Sequence, residues 1–161
     1  MLTSRAKYAL RASVALAEAY PAGTWNSAGA LADAADVPRK FLEAILSQLR
    51  EQGLVESRRG PAGGHRLTAA PADISVADII RTIDGPLAMT PCASATAFSA
   101  CDDCVDIETC RLRYIMRLAR DAAAAVLEQH SLADVLANGV PGVEVEAAFG
   151  LGEEGQGALP P

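Results

Sequence analysis

Apolar residues recur at helical spacing in several stretches of this chain, and the spacing predicts most of its elements. Residues 3–20 read as a helix with Ala6, Leu10, Ser13 and Ala17 along one small, mostly apolar stripe, and Tyr20-Pro21-Ala22-Gly23 stops it. Ser27 suits the N-cap of a short alanine-rich helix over 28–35. Asp36-Val37-Pro38 is a tight turn, and Pro38 fits the first position of the next helix, 38–52. That helix carries the clearest pattern: Leu42, Ile45, Leu46 and Leu49 at i, i+3, i+4 and i+7, with Arg39, Lys40, Glu43, Ser47 and Arg50 on the other face. Gly53 fits the left-handed position just beyond it.

The pattern then changes period. Leu54–Ser57 and His65–Thr68 read as two short strands joined by Arg58-Arg59-Gly60-Pro61-Ala62-Gly63-Gly64, a flexible basic hairpin. Val76, Ile79, Ile80 and Ile83 predict a helix over 75–84, ended by Gly85-Pro86. Residues 86–106 hold prolines, small polar residues and three cysteines, and stay ordered only if something ties them down. A long helix is predicted over 107–130, where Leu112, Ile115, Ala119, Ala122 and Val126 form a seam narrow enough for two helices to approach closely. Ser131-Leu132-Ala133-Asp134 is a capping box for a last short helix. From Gly139 onward Gly, Pro and Glu dominate, and disorder is expected.

This order makes the chain mainly α with a small β-hairpin wing. The expected divisions are a winged helix-turn-helix over 1–85, a cysteine-bearing sensor loop over 86–106, a dimerisation helix and terminal helix over 107–138, and a tail over 139–161. Only seven of the 161 residues are aromatic, so the core must be built from Ala, Leu, Val and Ile. No stretch approaches the roughly 18 apolar residues of a membrane span. Arg5 and Lys7 before an apolar run resemble a secretion signal, but Arg11 interrupts the run and Glu18 closes it, so the protein is expected in the cytoplasm.

Charge refines the picture. The net formal charge is −6, yet residues 1–70 carry +3 and residues 71–161 carry −9. A positive front half suits phosphate neutralisation, and the acidic remainder orients it. A helix entering the major groove meets base edges with its N-terminal residues. Arg39 and Lys40 can reach phosphate or guanine there, and Glu43 can accept from cytosine. The candidate DNA-contacting set is therefore Ser27, Pro38, Arg39, Lys40 and Glu43, with Arg58, Arg59, Gly60, Gly63, Gly64 and His65 of the hairpin. No nucleophile–base pair and no glycine-rich phosphate loop between a strand and a helix is present, so no catalysis is expected.

All four cysteines fall between 92 and 110, spaced Cys92-x8-Cys101-x2-Cys104-x5-Cys110. In a reducing compartment such clustering signals metal or redox chemistry before structural disulfides. Spacing alone leaves three sites open: an iron–sulfur cluster, a four-thiolate zinc site, and a metal-free thiol switch. A small electron carrier would use the same cysteines but would leave the basic hairpin and the patterned helix without a purpose. Trp25 is a lone aromatic expected to pack the first two helices together.

Three segments carry a family resemblance: Leu2–Leu10, Phe41-Leu42-Glu43, and Gly53-Leu54-Val55 through Arg59-Gly60-Pro61-Ala62-Gly63-Gly64-His65. Over residues 1 to about 138 the chain resembles the IscR/NsrR-type (Rrf-two) regulators. The resemblance implies a winged-helix homodimer, paired through the long helix, on an imperfect palindrome of double-stranded DNA. It implies that Glu43 and its neighbours read bases and that Arg59 enters the minor groove. It also implies a [2Fe-2S] or [4Fe-4S] cluster. Cys104 and Cys110 match the family's last cysteine pair and Cys92 takes the place of the first, at a longer gap, while Cys101 is extra. Some members use a histidine three residues after the last cysteine, where this chain has Arg113; others use an acidic residue of the partner's first helix, where it has Lys7. Cys101 is thus the expected fourth ligand, ahead of Glu18 and His65.

Overall fold

The computed structural model describes residues 2–104 and 106–137; the expected tail lies outside the described residues. Its elements run α1 (Ser4–Ala19), α2 (Ala28–Ala35), α3 (Arg39–Glu51), β1 (Val55–Arg58), β2 (Gly64–Leu67), α4 (Val76–Asp84), α5 (Arg111–Gln129) and α6 (Leu132–Ala137). The predicted winged-helix architecture is the observed one.

Helices α1, α2, α4 and α6 begin where the sequence supplies a side-chain acceptor for their orphan amides. Thr3 Oγ1 accepts from Ala6 N at 3.1 Å, and Ser27 Oγ from Ala30 N at 3.1 Å. Ser75 and Asp78 form a reciprocal capping box at α4, and Ser131 and Asp134 repeat it at α6. Gly53, with φ of +75°, takes the left-handed position after α3.

The core lies between α1, α3, α4 and the start of the wing. Leu42, Ile45, Leu46 and Leu49 of α3 are all at most 1% exposed. Each contributes about 1.5–3 kcal/mol of burial, and together they fix which face of α3 turns outward. On α1 the buried positions are mostly alanines — Ala6, Ala9, Ala12, Ala15 and Ala17 around Leu16 — which lets α2, α3 and α4 lie close to its axis.

The structure adds to the sequence reading or departs from it at three points. First, α6 is the separate short helix that its capping box predicts, and its packing is new. It folds back on α1 and buries Leu132 completely, and an antiparallel bridge between Ser75 and Ser131 ties its start to α4. Leu132→Ala is therefore expected to lower stability by about 2–5 kcal/mol, read as a shifted denaturant midpoint; a loss below about 0.5 kcal/mol would contradict this placement. Second, α5 begins at Arg111 and not at 107, because Asp106 accepts from Glu108 N (3.0 Å) and Thr109 Oγ1 (2.7 Å). That local turn competes with the helix for the same backbone. Third, Trp25 does not join the first two helices. It lies against the wing, its ring centroid 4.4 Å from the Arg66 guanidinium carbon and 5.9 Å from that of Arg58.

Candidate DNA interface and thiol site

The outward face of α3 presents Arg39, Lys40 and Glu43, all exposed, with Arg39 Nε 3.1 Å from Glu43 Oε1. An exposed i,i+4 pair of this kind contributes only about 0.3–0.5 kcal/mol, so either partner is free to exchange it for another contact. Pro38 caps the helix start, also exposed. Ser27 has its hydroxyl engaged as the α2 cap.

The wing is an antiparallel hairpin with Val55 opposite Leu67 and Arg58 opposite Gly64. Arg58, Arg59 and Gly60 are exposed at its tip. A further piece joins it that the sequence did not announce: Asn26 and His65 exchange backbone hydrogen bonds of 3.0 and 2.8 Å. The glycines of the hairpin serve this closure. A β-carbon at Gly63 would lie 2.1 Å from Arg58 O, and one at Gly64 would lie 2.4 Å from Asn26 O. The clue was the glycine pair itself, placed where a strand has two close backbone neighbours.

His65 belongs to the wing, with Nδ1 2.9 Å from Ser57 Oγ. Burial, reinforced by the charge of Arg50, lowers its pKa below 6.5, against a smaller opposing pull from Glu43. The unfolded chain therefore binds a proton that the folded wing resists, so stability is lost as pH falls from about 6.5. His65→Gln should flatten the pH dependence of the unfolding midpoint between pH 7 and pH 5; an unchanged slope would refute this.

The four cysteines come together on one cavity of about 470 Å³, lined also by Thr90, Arg113 and Met116. All four are free thiols. Cys101 and Cys104 form the two ends of a tight turn, Cys104 N donating to Cys101 O at 3.1 Å. Cys110 is the N-cap of α5, where the helix dipole favours negative charge. Cys92 is buried in the 3-10 turn Pro91–Ala93. Its side chain hydrogen-bonds with Thr90 Oγ1 at 3.4 Å, and this bond together with the neighbouring Cys101 thiol lowers its pKa. The neighbouring Cys92 pushes Cys101 up, and burial with the neighbouring Cys110 pushes Cys104 up. Glu18 and His65, the secondary ligand candidates, do not line the cavity.

What ties down the 86–106 segment is α5. Arg113 Nε donates to Cys92 O at 3.1 Å, and Arg120 Nη1 to Ala93 O at 2.9 Å. Arg113 also lies 5.4 Å over the Phe98 ring. Arg113 thus stands beside the thiols with a role that no cation can fill as a ligand. Leu112, which also lines the thiol cavity, is 73% exposed, and Ile115 and Val126 further along α5 are 52 and 38% exposed.

Known proteins share these features in outline. The Rrf2 family, described as iron-dependent transcriptional regulators, matches residues 2–138. An rrf2-like HTH-type transcriptional regulator of Rhodobacter capsulatus is 38% identical over 150 residues, covering 90% of this chain and 98% of its own length. Among solved structures, CymR, the global cysteine regulator of B. subtilis, superposes with a TM-score of 0.68 at 26% identity, covering 87% of this chain and 98% of its own. IscR of T. potens does so with a TM-score of 0.64 at 25% identity, covering 86 and 87%. These relatives are regulators and not enzymes, and their common extent includes both the wing and the cysteine region. On this match the chain belongs to the Rrf2 family of winged helix-turn-helix transcriptional regulators.

Proposed function

We propose that this regulator works in the cytoplasm as a homodimer on an imperfect palindrome, and that an iron–sulfur cluster sets its affinity. The observation that carries the reading is the gathering of all four thiols on one cavity between the 90–110 loop and the start of α5. The donor set fits the group: thiolates are its usual ligands, and four cysteine side chains line the one cavity. Cys92, Cys104 and Cys110 would hold the cluster, with Cys101 as the fourth ligand. When bound, it supplies an iron centre sensitive to redox state and to small reactive molecules.

The chain's own residues do the rest. Arg39, Lys40 and Glu43 enter the major groove, and the Arg58–Arg59 tip reaches the adjacent minor groove or phosphates. The exposed seam of α5 pairs with the same seam of a second copy, which gives the two-fold symmetry a palindrome needs. No helix among the described residues is long and apolar enough to cross a membrane.

Anaerobic purification with iron and sulfide assays, followed by gel shifts of the loaded and cluster-free forms, tests the reading. Iron and sulfide in the protein, with unequal operator binding by the two forms, is the expected result; zinc without iron and sulfide rejects it. Arg59→Ala should weaken specific binding by about 10–100-fold, the equivalent of one lost groove contact, while the dimer persists by light scattering. A thiol switch is the second reading, favoured by the placing of Cys92 and Cys101 as free thiols on one cavity. It predicts colourless protein in which peroxide joins that pair and changes operator affinity.

A further inference from the structure

We propose that Arg113 and Arg120 form a two-point latch through which the thiol loop sets the position of α5 relative to the winged helix. The inference rests on the sensing role proposed above and adds how the signal leaves the thiol site.

Positions 113 and 120 are seven apart, two helical turns, and so share one face of α5. Their guanidinium groups reach two consecutive carbonyls of the loop, Cys92 O and Ala93 O, at 3.1 and 2.9 Å. The loop between those carbonyls is a turn with its own bonds: Ala93 N to Thr90 O and Ser94 N to Pro91 O, both 3.1 Å. Ala93 is 1% exposed and Ser94 8%, so the turn is buried where the arginines grip it. A shift of the Cys92 backbone therefore carries a carbonyl that α5 holds.

Arg120 adds a second indication. Its side chain is only 13% exposed and pairs with Asp121, yet its Nε is buried without a hydrogen-bond partner among the described residues. Buried donors are nearly always satisfied. A guanidinium held so that one donor goes unmet is positioned by its other bonds, here the one to Ala93 O. The gripping face is not the face that carries Leu112, Ile115 and Val126, so the latch and a helix partner can act on α5 at once. At the other end α5 is anchored too, since Val76 N donates to His130 O at 2.9 Å. A push at residues 92–93 therefore turns α5 about that anchor, and its first turns shift relative to the winged helix.

The test uses full-length wild type, Arg113→Gln, Arg120→Gln and the double variant. Amide hydrogen exchange is measured on the cluster-free protein, and operator affinity on both forms. Exchange at residues 92–94 at least tenfold faster in the double variant, with α1–α4 unchanged, together with a ratio of loaded to cluster-free affinity that falls toward one, is the expected result. Arg120→Lys should restore part of that ratio, because lysine can still donate to one carbonyl. Wild-type exchange in the double variant overturns the latch, and so does faster exchange with an unaltered affinity ratio. Equal affinity of the two wild-type forms would instead reject the sensing reading itself.

Discussion

Alanine at Gly63 or Gly64 should open the wing and cost about 100-fold in operator affinity, the equivalent of losing two groove contacts at about 1.4 kcal/mol each, without unfolding the helices. At Gly63 the added carbon meets Arg58 O at 2.1 Å and Arg59 C at 2.8 Å. At Gly64 it meets three backbone atoms of Asn26, the nearest at 2.4 Å. Backbone cannot swing aside as a side-chain tip does, so relief requires the hairpin to part from residue 26 or from its own first strand. The bridge of Asn26 to His65 would go first, and with it the support that aims Arg58 and Arg59. Fluorescence anisotropy with a labelled operator reads the affinity, and far-ultraviolet circular dichroism reads the helices. Variants that bind as wild type would show that the glycines are not needed for closure. A general loss of helix would show that the wing is not a separable part.

The second large effect concerns the thiols. Cys92→Ala, Cys104→Ala and Cys110→Ala should each remove nearly all bound iron and sulfide, because loss of one ligand from a set of four leaves an iron site open to solvent. Cys101→Ala separates two views of the fourth ligand. If Cys101 completes the set, its variant loses the visible spectrum like the others. A wild-type spectrum in that variant would exclude it as a ligand and leave it as a neighbour of Cys92 on the same cavity. Stability offers a control, since Cys101 is only partly buried and its removal leaves no large hole, whereas Cys92 is buried. Thermal midpoints of the cluster-free variants should therefore fall more for Cys92→Ala than for Cys101→Ala.

Much of this molecule could be read from local sequence. Leu42, Ile45, Leu46 and Leu49 marked both the helix and its buried face, because a 3.6-residue period leaves little choice. Glycine and proline marked the wing, and Ser131 with Asp134 marked a helix start. What escaped was set by distant partners. Nothing near Trp25 says that its neighbour is Arg66, forty-one residues away. Leu132 looks like any leucine in a short helix until α6 is seen packed on α1. The roles of Arg113 and Arg120 went unread, since a carbonyl acceptor such as Cys92 O leaves no mark on the side-chain pattern. The cysteines were conspicuous as a group, but which thiols touch depends on the turn at 101–104 and on where α5 begins.

The small side chains along α1 carry a last implication. Alanine has no rotamers to change, so a helix surfaced with it offers its neighbours a single way to nest. Substituting valine or leucine at Ala9 or Ala12 would force the surrounding helices apart, and one mutational scan along this helix should meet the steepest intolerance in the protein. Such a body has little internal give. Whatever message arrives from elsewhere in the chain must therefore tilt or shift it whole, as a hand is turned by the wrist.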